Sequence, residues 1–421
     1  MITYDKGLPS LPDDIICEIF GFLDMEALKS CSLTGKALSF SAKPFIHRTL
    51  YLTFEILVPD VSRRRNKPSG LPILGERGLL QHIRHLSIAH RNSQLYAYDL
   101  QPHTQHLRTL TSLRSLKTHR LDIPSIIPKV EEYFGAFFGS LQSLELELPR
   151  GDSDQILYLV SQFPNLRDLK IFNHYVECSV GSCLDIKPSP PLDGTIDIKF
   201  GMDIRQEGGL IGAKLFLRNL ATLPPGPKPR TLKLSWCIGN DLQFLVDACA
   251  PTLECLEFSG KRFSASFLPR GTPLTHAILP SGASKCPPLS FKRHPALRKL
   301  EIVLPEHTKT EGVVDWLSET LSTITSNVFT KLTISVALDP FLSPTANEFQ
   351  VREWSLVDKV LDRFSLCDVT LVVRRDNVGV GDMFRVFAKR YFPLMWENGE
   401  VVPEVESPIM KNGLPRWIEG A

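Results

Sequence analysis

The sequence predicts an α/β fold in two parts. A short N-terminal module of three helices leads into a solenoid of strand–helix repeats, with parallel strands on one side and helices outside. Three observations carry this. From residue 79 onward one phrase keeps returning: an apolar residue, two others, Leu, one other, an apolar residue. Stretches with helical spacing separate the copies. The first fifty or so residues lack the phrase and show helical stripes instead.

In the N-terminal module, Pro12 suits the first turn of a helix, where a missing N–H costs nothing. Asp13 and Asp14 follow, at the end that attracts negative charge. Ile15, Ile19 and Leu23 recur at i, i+4 and i+8, and Ile16 and Phe20 widen the stripe. Asp24 is a suitable N-cap for a second helix over Met25–Leu33, with Leu28 and Cys31 on its apolar side. A third helical segment runs from Lys36 to about Leu50, with Pro44 expected to interrupt or restart it. Three short helices bury little by themselves, so their spare apolar surface calls for a partner.

Leu11-Pro12, then Ile15, Glu18-Ile19 and Leu23, then Leu28, Cys31-Ser32-Leu33 and Lys36, resemble an F-box. The closing Ala42-x-Pro44-x-Ile46-x-Arg48-x-Leu50-x-Leu52 resembles the end of F-boxes in fungal proteins of this kind. Gly35 stands where a second Cys is common, and Leu38 where Trp is common. The resemblance implies a module that docks on the Skp-type adaptor of a cullin–RING ubiquitin ligase. It assigns adaptor contact, or support of the contact surface, to Leu11, Pro12, Ile15, Ile19, Leu23 and Leu28.

The bulk properties are those of a globular chain. Of 421 residues, 43% are apolar and 22% charged. A formal charge of +2 supplies no strong field towards nucleic acid or an anionic membrane. The first residues do not read as a signal peptide, and no apolar run approaches a membrane span. Nine cysteines at irregular spacings, without a Cys-x-x-Cys, read as reduced thiols of a cytoplasmic or nuclear protein.

The domain reading is 1–55 for the F-box, 56–78 for a linker, 79–390 for the solenoid and 391–421 for a C-terminal cap and tail. The linker carries Arg63-Arg64-Arg65, read as part of a solvated loop, with nuclear import as the alternative. In the solenoid the phrase appears as Ile83-Arg-His-Leu86-Ser-Ile88 and Leu141-Gln-Ser-Leu144-Glu-Leu146. It returns as Leu166-Arg-Asp-Leu169-Lys-Ile171, Leu253-Glu-Cys-Leu256-Glu-Phe258 and Leu297-Arg-Lys-Leu300-Glu-Ile302. Further strands centre near Leu116, Leu232, Leu332 and Leu371, and Thr195–Phe200 reads as a degenerate copy. Alternation within each phrase is the period of a half-buried strand.

Helical stretches fall at Ile126–Phe138, Asp154–Phe163, Asp241–Ala250, Glu311–Ser326 and Glu353–Phe364. A strand plus a helix every 25–30 residues is the pattern of a leucine-rich-repeat solenoid, in which each unit buries its Leu only against its neighbours. Pro164, Pro251 and Pro295 each precede a strand, ending a helix and turning the chain. Residues 177–193 and 260–290, rich in Pro, Gly and Ser, read as inserted loops.

No catalytic motif emerges. Gly208-Gly209-Leu210-Ile211-Gly212-Ala213-Lys214 has the composition of a phosphate loop without its spacing. His82, His85, His90, His103 and His106 match no common zinc spacing. The reading assigns no catalytic residue, metal or cofactor. It expects a non-catalytic receptor subunit of a Skp–cullin–F-box ubiquitin ligase that binds a protein substrate for ubiquitin-dependent degradation. Neither nucleic acid nor membrane is an expected partner. The alternative is a repeat scaffold for protein–protein interaction outside any ligase.

With Leu pointing inward, the intervening residues should form one ladder on the open face of the sheet. Substrate contact is expected from Glu145, Glu147, Lys170, Lys233, Glu257 and Glu301, with Ser235, Thr333 and Ser335 on the same face. The alternating signs favour a protein substrate of mixed charge.

Overall fold

A computed structural model of the chain describes residues 13–34, 36–54, 78–90, 104–173, 184, 186–188, 190–200, 207–235, 240–259, 288–303, 313–337, 357–364, 367–374, 389–390, 393–394, 409–411 and 414–416. Two compact units result: Met1–Arg150 with Gln162–Leu166, and Gly151–Ser161 with Arg167–Ala421.

The first unit begins with three helices, α1 (Asp13–Phe22), α2 (Met25–Thr34) and α3 (Lys36–Ile46). Asp24 caps α2 as expected, its Oδ1 accepting the Ala27 N–H at 2.7 Å. Phe20, Leu28 and Ala42 form a small core, onto which Ile16, Leu23, Cys31, Leu38, Phe45 and Ile46 pack. The Phe20 and Phe45 rings meet edge to face, 5.9 Å apart. Pro44 does not break α3. It lies in the last turn, so the hydrogen bond it forfeits is one of few remaining before the helix ends.

Two residues after α3 the chain enters β1 (Thr49–Phe54), where the sequence reading had continued the third helical segment to about Leu50. The spacing of Leu50 and Leu52 is that of a strand. β1 pairs in parallel with β2 (His85–His90), Leu50 opposite Leu86 and Leu52 opposite Ile88. The linker candidate therefore falls between two paired strands, and its residues 56–77 lie outside the described residues.

The unit continues with α4 (Thr104–Leu107), β3 (Ser115–His119), α5 (Ile123–Ile126), α6 (Val130–Phe134) and β4 (Ser143–Glu147). β3 pairs in parallel with β2 and β4, placing Leu116 between Leu86 and Leu144. The helix expected over 126–138 is instead a chain of short turns, because Pro128 and Gly135 deny it a continuous ladder. Those turns bury Phe134 and Phe137 against Phe163.

The second unit holds α7 (Ser153–Ser161), β5 (Asp168–Asn173), β6 (Thr195–Phe200), α8 (Glu207–Thr222), β7 (Thr231–Ser235), α9 (Asn240–Cys249), β8 (Cys255–Ser259), β9 (Lys299–Val303), α10 (Val313–Ser322), β10 (Lys331–Ala337) and β11 (Asp368–Arg374). Strands β5 to β11 pair in parallel in chain order. One register row reads Leu169, Ile196, Leu232, Leu256, Leu300, Leu332 and Val369, and every member is buried. Burying each such Leu contributes about 1.5–3 kcal/mol.

The supposedly degenerate Thr195–Phe200 is thus a full member of the sheet. The sequence pattern predicts no helix at Glu207–Thr222, where Gly208–Lys214 only resembles a phosphate loop in composition; these residues open α8. Before several strands of either unit a Leu N–H closes a tight turn, as where Leu166 donates to Phe163 O and Leu253 to Cys249 O, both at 3.1 Å. In the tail, Ile409–Lys411 and Leu414–Arg416 form an antiparallel pair.

Candidate interaction surfaces

Two kinds of surface come from this architecture. The first lies on the N-terminal helices. A ten-residue helix at 3.6 residues per turn cannot turn every apolar side chain inward. In α1 the set divides: Ile16 and Phe20 face the small core, whereas Ile15 and Ile19 remain 42% and 43% exposed. Phe22 follows at 85%. Met25, Leu33 and Phe40 are exposed on α2 and α3. Isolated exposed apolar residues are ordinary, but this concentration on three short helices is not.

The structure also divides the residues the sequence singled out. Ile15 and Ile19 are available to a partner. Leu23 packs on the core and Leu28 lies within it. Leu11 and Pro12 lie outside the described residues. Phe22, Leu33 and Phe40 are not among the residues the resemblance assigns to adaptor contact, although Phe22, seven residues after Ile15, falls on the same helix face. A face that docks a partner need not coincide with the face that closes the module.

The second surface is the polar face of the strands, where residues between the buried Leu positions emerge half-exposed. In the first unit the Lys117 ammonium donates to Glu145 at 2.7 Å and to Glu147 at 2.6 Å. Burial works against this charge, but the two carboxylates outweigh it and raise the Lys117 pKa. His119 Nδ1 lies 3.3 Å from the far oxygen of Glu147. Burial and the nearby Arg120 hold that imidazole below its ordinary value despite the carboxylate. Glu145 and Glu147 are therefore already engaged within their own sheet.

In the second unit the row Lys170, Asp197, Lys233, Glu257, Glu301, Thr333 and Thr370 crosses seven strands in register. Four of the six predicted substrate residues lie in it: Lys170, Lys233, Glu257 and Glu301. Lys233 pairs with Glu257 at 2.6 Å. Asp197, which the sequence reading passed over, separates Lys170 from Lys233. Its Oδ2 lies 3.3 Å from Lys199 Nζ, and its Oδ1 has no hydrogen-bond partner among the described residues. Burial pushes its carboxyl pKa up against the pull of Lys199 and Lys233. Lys199 in turn sits 4.8 Å over the Phe172 ring. Ser235 and Ser335 share the parity of this face but are buried, so they are not part of an exposed ladder.

Among the described residues no group of three or more His, Cys, Asp or Glu could hold a metal ion. No helix among them is long and apolar enough to cross a membrane. Cys249 is buried, which pushes its thiol up to about 12 and leaves it unreactive at neutral pH.

No model of a known family matches the chain, and no curated protein matches it. Among solved structures, a Bacteroides fragilis protein from a structural genomics programme aligns over 76% of this chain and 70% of its own length. It is 12% identical with a TM-score of 0.28, a likeness too distant to carry an argument about fold or function.

Proposed function

We propose that this chain is the substrate-recognition subunit of a Skp–cullin–F-box ubiquitin ligase. Its three N-terminal helices dock on a Skp-type adaptor, and the polar faces of its parallel strands hold a protein substrate. The observation that carries the reading is the exposed apolar set Ile15, Ile19 and Phe22 beside a separately closed core. Burying such a set on a partner gains the apolar stabilisation that the small module cannot supply for itself. The resemblance of this same segment to an F-box names the partner. The strand faces alternate in sign, which suits a substrate of mixed charge and moderate salt sensitivity. The subunit adds no chemistry of its own and positions the substrate for transfer by the ligase. Reduced cysteines support action in the cytoplasm or nucleus.

The test is co-elution of the full chain with a purified Skp-type adaptor. The wild type should form a complex. Ile19→Glu and Phe22→Glu should lose it while melting at the wild-type temperature, because both side chains are exposed. A wild-type chain that fails to co-elute would make this a repeat scaffold outside any ligase.

A further inference from the structure

At the strand-entry edge of the first unit, Arg48, Arg84 and Arg114 stand one above another. Arg84 N donates to Arg48 O and Arg114 N to Arg84 O, each at 2.8 Å, so the three residues occupy successive rungs. Parallel strands are about 4.8 Å apart, which puts three guanidinium-bearing positions within about 10 Å. All three side chains are exposed. None has a salt bridge or side-chain hydrogen bond among the described residues. The described segments that build this edge, 36–50, 78–90, 104–119 and 135–144, contain no Asp or Glu. The field they create registers on His85, whose imidazole is held below its ordinary value by burial and then by Arg48, Arg84 and Arg114.

The second unit supplies an internal contrast. Its corresponding row is Arg167, Gly194, Arg230, Glu254, Arg298 and Thr330. There Arg167 is held by Asp193 at 2.8 Å, and Glu254 separates Arg230 from Arg298. Gly194 carries no charge, and any side chain there would collide with the Asp168 carboxylate. Like charges stacked at this spacing repel, and in the second unit the row is neutralised or interrupted. In the first unit it is neither.

We infer that the edge formed by Arg48, Arg84 and Arg114 is a docking site for an acidic peptide segment of a partner protein, independent of the adaptor and substrate surfaces proposed above. Guanidinium groups bind carboxylates through paired, charge-assisted hydrogen bonds. Glutamates on successive turns of a helix are about 5.4 Å apart, close to the rung spacing. Nucleic acid fits less well: three cations over about 10 Å match few phosphates, and the chain's formal charge is only +2.

The experiment uses the full chain, a short labelled Glu-rich peptide and its Gln counterpart, with binding read by fluorescence anisotropy. The Glu peptide should bind, more weakly as salt rises, and the Gln peptide should not. Arg48→Gln, Arg84→Gln and Arg114→Gln should each weaken binding about two- to fivefold, and the triple variant on the order of tenfold or more. Arg230→Gln and Arg298→Gln should change nothing. In the unmodified protein, adding the Glu peptide should raise the His85 pKa seen by NMR, a readout that needs no variant. Equal binding of the two peptides, an unimpaired triple variant, an unmoved His85, or tighter binding of an oligonucleotide of matched charge would each overturn the inference.

Discussion

Thr118 stands opposite Leu146 in adjacent parallel strands, both wholly buried, and the Thr118 hydroxyl has no hydrogen-bond partner among the described residues. Its other register neighbour, Ile88, is equally buried. A polar atom left unpaired in such a place costs free energy that an apolar group of the same shape does not. Thr118→Val should therefore stabilise the protein by about 1 kcal/mol, read as a higher urea midpoint at unchanged slope. An unchanged or lower midpoint would show that the hydroxyl is satisfied.

The N-terminal helices should respond to charge in two ways, one at Phe22 in α1 and one at Leu28 in α2. Phe22→Asp adds a carboxylate at an exposed position and should leave the melting temperature within a few degrees of wild type. Leu28→Asp places the same group in the small core, where an unpaired charge is costly, and should unfold the three helices. Circular dichroism melts of both variants decide the matter. Similar melts would mean that the two positions are not differently packed.

The repeat packing predicts a large cost for one truncation. Leu144 is fully buried beside its register neighbour Leu116. Leu144→Ala should lose about 2–5 kcal/mol in denaturant unfolding. A loss below about 1 kcal/mol would be incompatible with its place in the core.

Asp197 gives a pH signature. Its folded pKa lies above the ordinary 3.8, chiefly through burial. Between those two values the native state binds more protons than the unfolded chain, so this group lowers stability as pH rises through the window. Asp197→Asn removes the effect. The variant should be more stable than wild type near neutral pH, and the difference should shrink as pH falls through the folded pKa. Carboxyl NMR of the wild type should place the Asp197 titration above that of exposed aspartates.

Much of the sheet was legible because its signal is local and repeated. A Leu two positions from another apolar residue located most of the strands, with Pro a few residues earlier before three of them. Thr195–Phe200 was undervalued because its apolar positions hold Ile rather than Leu, although the strand needs only the alternation. β1 was absorbed into the helical module because its pattern abuts a helix with no turn residue between. The charged rows were legible as a parity but not as neighbours. That Lys117 reaches both Glu145 and Glu147 depends on which strands pair and in what register, and no single segment contains that information. The exposure of Phe22 was illegible for a related reason: periodicity shows that α1 carries two apolar stripes, but not that the one with Ile16 and Phe20 closes the module while the one with Ile15 and Ile19 stays open.

The pairing of β1 with β2 has a bearing on how this chain can vary. The three helices run into the sheet with only His47 and Arg48 between α3 and β1, and β1 is hydrogen-bonded to the next strand before the long segment after Phe54 returns. That segment is a detour and not a tether. Residues could be added to it or removed at a closure cost that grows only slowly with length, while the helices keep their station beside the first strand. Within this unit, each further strand sets whatever it holds about 4.8 Å farther from β1. Reach is then graduated in whole strands, like marks on a rule, and the length of the intervening loop does not enter the measurement.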